Sequence, residues 1–510
     1  MSVTPMRKPL IAVLASIGVF ALSGCFSGTG TSAPSEGTGD GRISVAMLLP
    51  PRSGLSPFSD DAFKLSRWST AETLVVLDDE GEAQPALATG WTREGPDTWR
   101  FRIREAVTFH DGSELTAETV ARALSSATEA VPKPRILDGV DMTVTADDGD
   151  VVVRTADEDP LVPQRLSSPQ LSILSAAAYG SDGVVDPVGH GTGAFELTAV
   201  DGTSSATLDR YENYWGHKAI AEGIDVSFVP DGTARAAALR TGDAQVVEAI
   251  PVGQAAQIDQ DMIIEVPMPR TNTLYLNTSR GPFADPAVRA AANAAIDRAT
   301  LVDGVYEGRA DEAVGLLGPA LPWAAEYRDR EGYRATIGQR AEPATVDGVE
   351  ISLGTFTDRA ELPEVAVRLE QQLEAVGFIV NQDVREYQYI ESDAIDGAFD
   401  AFILSRATVL DSGDPVAYMY SDFACEGSFN ISQFCDPDVD RALEQAAALE
   451  QGTARKEAIM GAEALILKNT AAIPLLHERV IQGEAVGVSG VARDSREREL
   501  ITPESKVELG

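Results

Sequence analysis

Val349-Glu350-Ile351-Ser352-Leu353-Gly354-Thr355-Phe356, then Leu362-Pro363-Glu364-Val365, and finally Gly377-Phe378-Ile379-Val380 form the stretch on which the fold turns. The first eight residues alternate as a strand does, predicting a β-strand over 349–356. Over 362–376, Val365, Leu369, Leu373 and Val376 make one apolar stripe, the pattern of an amphipathic helix. Pro363 suits its first position and Gly377 ends it. The apolar residues 378–380 open a second strand. Strand, helix, strand in this order is a βαβ unit, which requires a parallel sheet and a right-handed crossover. The fold class is therefore α/β.

Other segments agree. Strands are predicted at 43–49, 151–154, 225–229 and 401–405, and a helix at 439–449. Thr116 caps a helix carrying Val120, Ala123 and Leu124, and Asp285-Pro286 starts another with Val288, Ala292 and Ile296 on one face. The chain has 510 residues, 44% of them apolar and 24% charged, which suits a globular protein of two to four domains. A formal net charge of −38 repels phosphate backbones and excludes nucleic acid as a partner. HExxH, CxxC, GxSxG and Walker A patterns are all missing, and the four histidines, His110, His190, His217 and His477, are scattered. No catalytic residue, metal site or cofactor is expected.

The N-terminus reads as an export signal. Arg7 and Lys8 precede an apolar run over 10–22, too short to span a membrane. Leu22-Ser23-Gly24-Cys25 follows and resembles a bacterial lipobox, which implies cleavage before Cys25 and lipid on its thiol. Residues 1–24 are then a lipoprotein signal peptide, and the Gly/Ser/Thr-rich residues 25–41 a flexible tether. With Cys25 lipidated, Cys425 and Cys435 remain, and outside the cytoplasm a disulfide between them is favoured over two free thiols. The expected location is the extracytoplasmic face of the cell membrane, lipid-anchored.

A series of local patterns runs in order through the rest of the chain. It begins with Glu72-Thr73-Leu74-Val75, Pro85-Ala86-Leu87-Ala88-Thr89-Gly90-Trp91, Trp99-Arg100-Phe101-Arg102-Ile103-Arg104 and Val107-Thr108-Phe109-His110-Asp111-Gly112. It continues with Pro187-Val188-Gly189 and Thr192-Gly193-Ala194-Phe195, separated by His190 and Gly191, then Tyr214-Trp215-Gly216 and Ala295-Ile296-Asp297-Arg298. Gly413-Asp414-Pro415, Asp436-Pro437-Asp438-Val439-Asp440 and Ala472-Ile473-Pro474-Leu475 close it. Together these resemble family 5 of the bacterial extracellular solute-binding proteins, the receptors of peptide and nickel ABC importers.

The resemblance implies a two-lobe periplasmic-binding-protein fold with a hinge and an extra domain inserted in the first lobe. Lobe one would comprise residues 42–64, 186–268 and 471–510, the inserted domain 65–185, and lobe two 269–470. The hinge crossings are expected near 267–273 and 469–474. The implied function is capture of a short peptide or similar zwitterionic solute between the lobes, for delivery to permease and ATPase subunits. The protein would be a monomer and not an enzyme. The alternative within the family is a nickel-chelate or metallophore receptor; a remote one outside it is an exported carboxylate-dependent hydrolase.

Ligands of open parallel sheets bind beyond the carboxyl ends of strands. Two loops meet that rule. One, after residue 356, carries Asp358, Arg359 and Glu361; the other, after residue 405, carries Arg406, Thr408, Asp411 and Asp414. By resemblance to peptide receptors, Asp411 holds the ligand's α-ammonium, and residues 407–411 pair with its backbone. By resemblance to metallophore receptors, Arg359, Arg406 and Arg135 hold ligand carboxylates, for which a guanidinium fork is suited. Phe58 and Asn430 are placed in the cleft only by their position in the family resemblance, and His477 is a candidate to reach a metal chelate.

Overall fold

The computed structural model describes residues 41–508 except 138, 181, 182, 360, 410 and 411. Cys25, the signal and most of the tether lie outside the described residues, and so does Asp411. The βαβ unit is built from the strand Val349–Phe356, the helix Glu361–Glu374 and the strand Phe378–Arg385. The strands pair in parallel from Val349↔Phe378 to Phe356↔Arg385. Val365, Leu369 and Leu373 are fully buried, while Val376, beyond the helix end, is exposed. Pro363 sits two residues inside the helix rather than at its start. This is still the first turn, where a missing N–H costs no hydrogen bond. Gly377 adopts φ 111°, and a Cβ there would lie 2.2 Å from the carbonyl oxygen of Val346, so only glycine lets the chain turn back so closely.

This unit forms one edge of an eleven-stranded mixed sheet. The order runs Phe378–Arg385, Val349–Phe356, Ala401–Ala407, Ile263–Leu276, Ala472–Glu484, Val246–Val247, Arg42–Met47, Gly223–Phe228, Ser205–Arg210 and Phe195–Asp201, with Ala310–Glu312 pairing Ala472–Glu484 beside this path. A second sheet of four antiparallel strands, Ala88–Arg93, Thr98–Ile103, Asp150–Thr155 and Met142–Asp147, has its own apolar core between Leu74 and Ile173. The helix Ala117–Glu129 covers it, started by a capping box between Thr116 and Thr119.

Two long strands carry the sheet from one half to the other. Ile263–Leu276 pairs antiparallel with Ala472–Glu484 over most of its length, but the register shifts between Pro267 and Thr271. Prolines at 267 and 269 explain the break, since neither can donate to the ladder. Before the break, the partners are residues 479–483, on the side of Val246–Val247; after it, they are residues 472–477, on the side of Ala401–Ala407. On the strand Ala472–Glu484 the change of partners comes at 477–479. The largest apolar core, with Leu274, Leu353, Leu369 and Ile403, lies after the break; cores around Val45 and Leu208, and around Leu239 and Val247, lie before it.

The glycine-rich 187–193 segment is a packing turn. A Cβ on Gly191 would stand 1.9 Å from the carbonyl oxygen of Thr70, and one on Gly193 2.1 Å from that of Ser69. The close approach lets Gly193 N–H donate to Thr70 O at 3.1 Å and His110 N–H to Gly191 O at 2.9 Å.

Candidate functional site

A cavity of about 1600 Å³ opens where the 263–276 strand breaks register. Its wall includes Phe356, Asp358, Arg359 and Glu361 from the first expected loop, and Ser405, Arg406, Ala407 and Thr408 from the second. The 135–165 region faces it with Arg135, Asp159 and Arg165, and Met268 and Arg270 come from the break itself. The two loops meet because Val349–Phe356 and Ala401–Ala407 are parallel neighbours, so their carboxyl ends point the same way.

Arg359 donates from Nη1 to Glu478 Oε2 at 2.8 Å, and Ser405 Oγ donates to Glu478 Oε1 at 2.5 Å. Glu478 is buried, while Arg359 keeps a third of its side chain exposed. Arg406 grips Asp422 in a bidentate contact through one edge of its guanidinium, Nε to Oδ2 at 2.9 Å and Nη2 to Oδ1 at 2.7 Å. Tyr275 O–H also donates to Asp422 Oδ2 at 2.9 Å. The Arg406 guanidinium lies 4.5 Å from the centre of the Phe429 ring, a cation–π contact. Burial opposes charge on both partners and pushes the Asp422 carboxyl above its usual range. On Arg406, Asp422 outweighs burial, so the guanidinium stays protonated.

Thr408 lines the cavity, but both its N–H and Oγ1 are spent on Pro269 O, at 2.8 and 3.2 Å. Arg135 is on the wall and half exposed, with an ion pair to Asp60 at 3.1 Å. Three expected residues are not on the wall, Phe58, Asn430 and His477. Phe58 packs against Tyr179, ring centres 6.3 Å apart, because an apolar ring gains more between two cores than against a polar cavity. Asn430 turns inward to close its own loop, donating to Ala424 O at 3.0 Å and Phe434 O at 2.6 Å and accepting from Phe434 N–H at 3.0 Å. Cys425 and Cys435 at the base of this loop are joined in a disulfide. Asp414 forms a buried pair with Arg455 and is not available to a ligand. His477 is 2% exposed and bonded to Thr271 through Nδ1 at 2.9 Å; it does not reach the cavity.

One wall residue was not foreseen. Arg270 stands in the register break, opposite Ala407 and next to the Thr271↔Arg406 pair. A bulge of this kind re-aims a side chain. Its Nε is shut from solvent, and among the described residues its side chain has neither a hydrogen-bond partner nor an ion pair. Burial first, and then the charges of Arg359 and Arg406, push its pKa down. The signal was in the sequence: Pro267-Met268-Pro269 inside a strand pattern marks a bulge beside Arg270.

Among the described residues no three His, Cys, Asp or Glu are arranged to hold a metal ion, and no helix is long and apolar enough to cross a membrane.

A mixed sheet crossed by two long strands, with a large charged cavity at the crossing, defines a two-lobe solute-binding fold. Solved structures agree: the chain aligns with the nickel ABC transporter protein of Bacillus halodurans at TM-score 0.77 and 24% identity, covering 91% of this chain and 100% of that one. Residues 82–430 match the bacterial extracellular solute-binding proteins, family 5 Middle, and the chain belongs to that family. Among curated relatives, the glutathione-binding protein GsiB of Shigella dysenteriae is 24% identical over 450 residues, 82% of this chain and 85% of that protein. The nickel-binding protein NikA of Staphylococcus aureus is 23% identical over 413 residues, covering 79% and 81%. The chain is thus an extracytoplasmic solute-binding protein of the ABC-importer type, a transport component and not an enzyme.

Proposed function

We propose that this protein captures a short peptide or similar zwitterionic solute in the cavity and delivers it to an ABC permease, anchored to the membrane through lipid on Cys25. The observation that carries the reading is the pair of arginines, Arg359 and Arg406, set at the carboxyl ends of neighbouring parallel strands and each oriented by a buried carboxylate. Such forks suit the carboxylates of a solute. The volume exceeds the roughly 300–1000 Å³ of ordinary small-molecule pockets, in keeping with a ligand of several residues. Similarity to a glutathione-binding protein, glutathione being a peptide, points the same way. Asp411 is assigned to the ligand's ammonium on its place in the loop after Ala401–Ala407. Residues 42–64, 186–268 and 471–510 are assigned to lobe one, 65–185 to the inserted domain and 269–470 to lobe two. The solute is held by both lobes at once, so binding favours the closed form.

A second reading is capture of a nickel chelate, supported by similarity to a nickel-binding protein. Arg359 and Arg406 would then hold carboxylates of the chelator. Thermal unfolding separates the two, with di- to pentapeptides and glutathione in one panel and nickel with histidine or carboxylate chelators in the other. A ligand at 100 times its dissociation constant adds about 2.7 kcal/mol. Stabilisation by peptides, lost in Asp411→Ala, supports peptide capture. Stabilisation only by chelates, lost in Arg359→Ala, overturns it in favour of the second reading.

A further inference from the structure

The cavity's cations can be counted against their partners. Arg359 has Glu478, Arg406 has Asp422, Arg455 has Asp414, Arg165 has Asp159, and Arg479 has Glu265 and Asp311. Arg135 has Asp60. Arg235 has no carboxylate, but its guanidinium donates to four backbone carbonyls, those of Val229, Pro230, Glu248 and Ala249, at 2.7–3.0 Å. Arg270 has neither. Among the described residues it is the one arginine of the wall that makes no hydrogen bond or ion pair, and its Nε is closed off from water.

A half-buried guanidinium beside two others is a costly arrangement. Like charges repel, and a donor taken from water without a partner loses its hydration for nothing. Sequences remove such costs readily, by placing an acid opposite or replacing the arginine. Glu478 is near enough to act on Arg270 through space, but both its oxygens are occupied by Arg359 and Ser405. Glu497 also acts on Arg270 only through space. The register break at 267–271 presents this side chain to the cavity, and the Thr408 bonds to Pro269 O hold the break in place.

We infer that Arg270 is a second anion subsite, so that the solute carries two acidic groups, one engaged by Arg359 or Arg406 and the other by Arg270. This rests on the receptor reading above and narrows it from zwitterions in general to those with two acidic groups, such as peptides with an acidic side chain beside the terminal carboxylate. A neutral peptide, with one carboxylate, would leave Arg270 unpaired in the closed state. Arg270 is then the residue that sets specificity for charge.

The test uses matched pairs differing by one carboxylate: Gly-Glu against Gly-Gln, and glutathione against its glycine amide. Each is titrated into the native protein, Arg270→Gln and Arg270→Lys. The diacid should bind about thirtyfold or more tighter than its amide to the native protein; Arg270→Gln should reduce diacid affinity to the level of the amide while changing the amide by about twofold at most. Arg270→Lys should keep part of the preference. Equal binding of the two members to the native protein, or equal weakening of both by Arg270→Gln, overturns the inference. A second arm needs no solute: ligand-free Arg270→Met should melt above the native protein, since it removes an unpaired charge. Melting below it would make Arg270 a support of the fold and overturn the inference. Should no peptide bind, the peptide reading fails by itself. Citrate then decides the subsite: a rise in melting temperature that Arg270→Gln abolishes supports it, and no such rise overturns it.

Discussion

Replacing Asp414 by alanine should cost more stability than any change of charge at the cavity rim. Asp414 and Arg455 expose 4% and 2% of their side chains. Arg455 Nε donates to Asp414 Oδ2 at 2.7 Å and Nη2 to Oδ1 at 3.0 Å. Its Nη1 is shared among the carbonyls of Ala446, Ala447 and Leu449 at 2.5–3.1 Å, which ties the end of the helix Pro437–Ala447 to the helix Thr453–Lys468. Without Asp414 the carbonyls still hold Nη1, but a full charge and two N–H edges lose their partner in a nearly dry site. Removing one member of a buried pair costs about 3–5 kcal/mol. The cavity lies alongside and can admit water to the vacated space, which favours the lower end, about 3 kcal/mol. Urea unfolding of the ligand-free protein at pH 7 would measure it, with Asp414→Asn as the milder change. The double substitution Asp414→Leu with Arg455→Met should recover most of the loss, because two apolar groups leave no stranded charge. A loss below about 1 kcal/mol for Asp414→Ala, or a double variant no better than the single one, would refute the reasoning.

Three further outcomes are expected. Asp422→Ala frees Arg406 from its buried carboxylate and strands Tyr275 O–H; it should weaken ligand binding about tenfold or more and lower stability by about 2–3 kcal/mol, checked by titration calorimetry and urea unfolding. His477 is held neutral: burial, and then Arg328, push its pKa down to about 3. The unfolded imidazole takes up a proton below about pH 6.5. The His477 contribution is therefore complete above pH 6.5 and declines by about 1.4 kcal/mol per unit as the pH falls towards 3. His477→Gln should flatten the pH dependence of unfolding between pH 6 and 4 by about that slope, and an unchanged slope would count against a neutral buried imidazole. Gly191→Ala sets a Cβ against the Thr70 carbonyl, and soluble yield or melting temperature should fall sharply, with a loss of about 2 kcal/mol or more.

How much of this could be read without coordinates varied with the range of the forces involved. The βαβ unit was legible because its evidence is local: strand alternation over 349–356, a helical stripe over 362–376, and Gly377 where the chain must double back. Asp285 and Thr116 were legible as caps for the same reason. Arg359 and Arg406 followed from a general rule about strand ends. Phe58 and Asn430 were misplaced because position along the chain says nothing of which way a side chain turns; the first found an apolar interface and the second its own loop. Asp414 looked like its loop neighbours until Arg455, 41 residues away, was seen to claim it.

The sequence by itself determined the α/β class, the absence of recognisable catalytic motifs and the two loops that bear charge, all consequences of period, composition and short-range spacing. Tertiary structure alone decided which of those charges are free. Glu478 lies 119 residues from Arg359, and Asp311 lies 168 from Arg479. A charge is neutralised by whatever the fold brings within about 4 Å, and separation along the chain places no limit on that. Arg270 is left over from that pairing, and its meaning exists only once every other arginine of the wall has been accounted for.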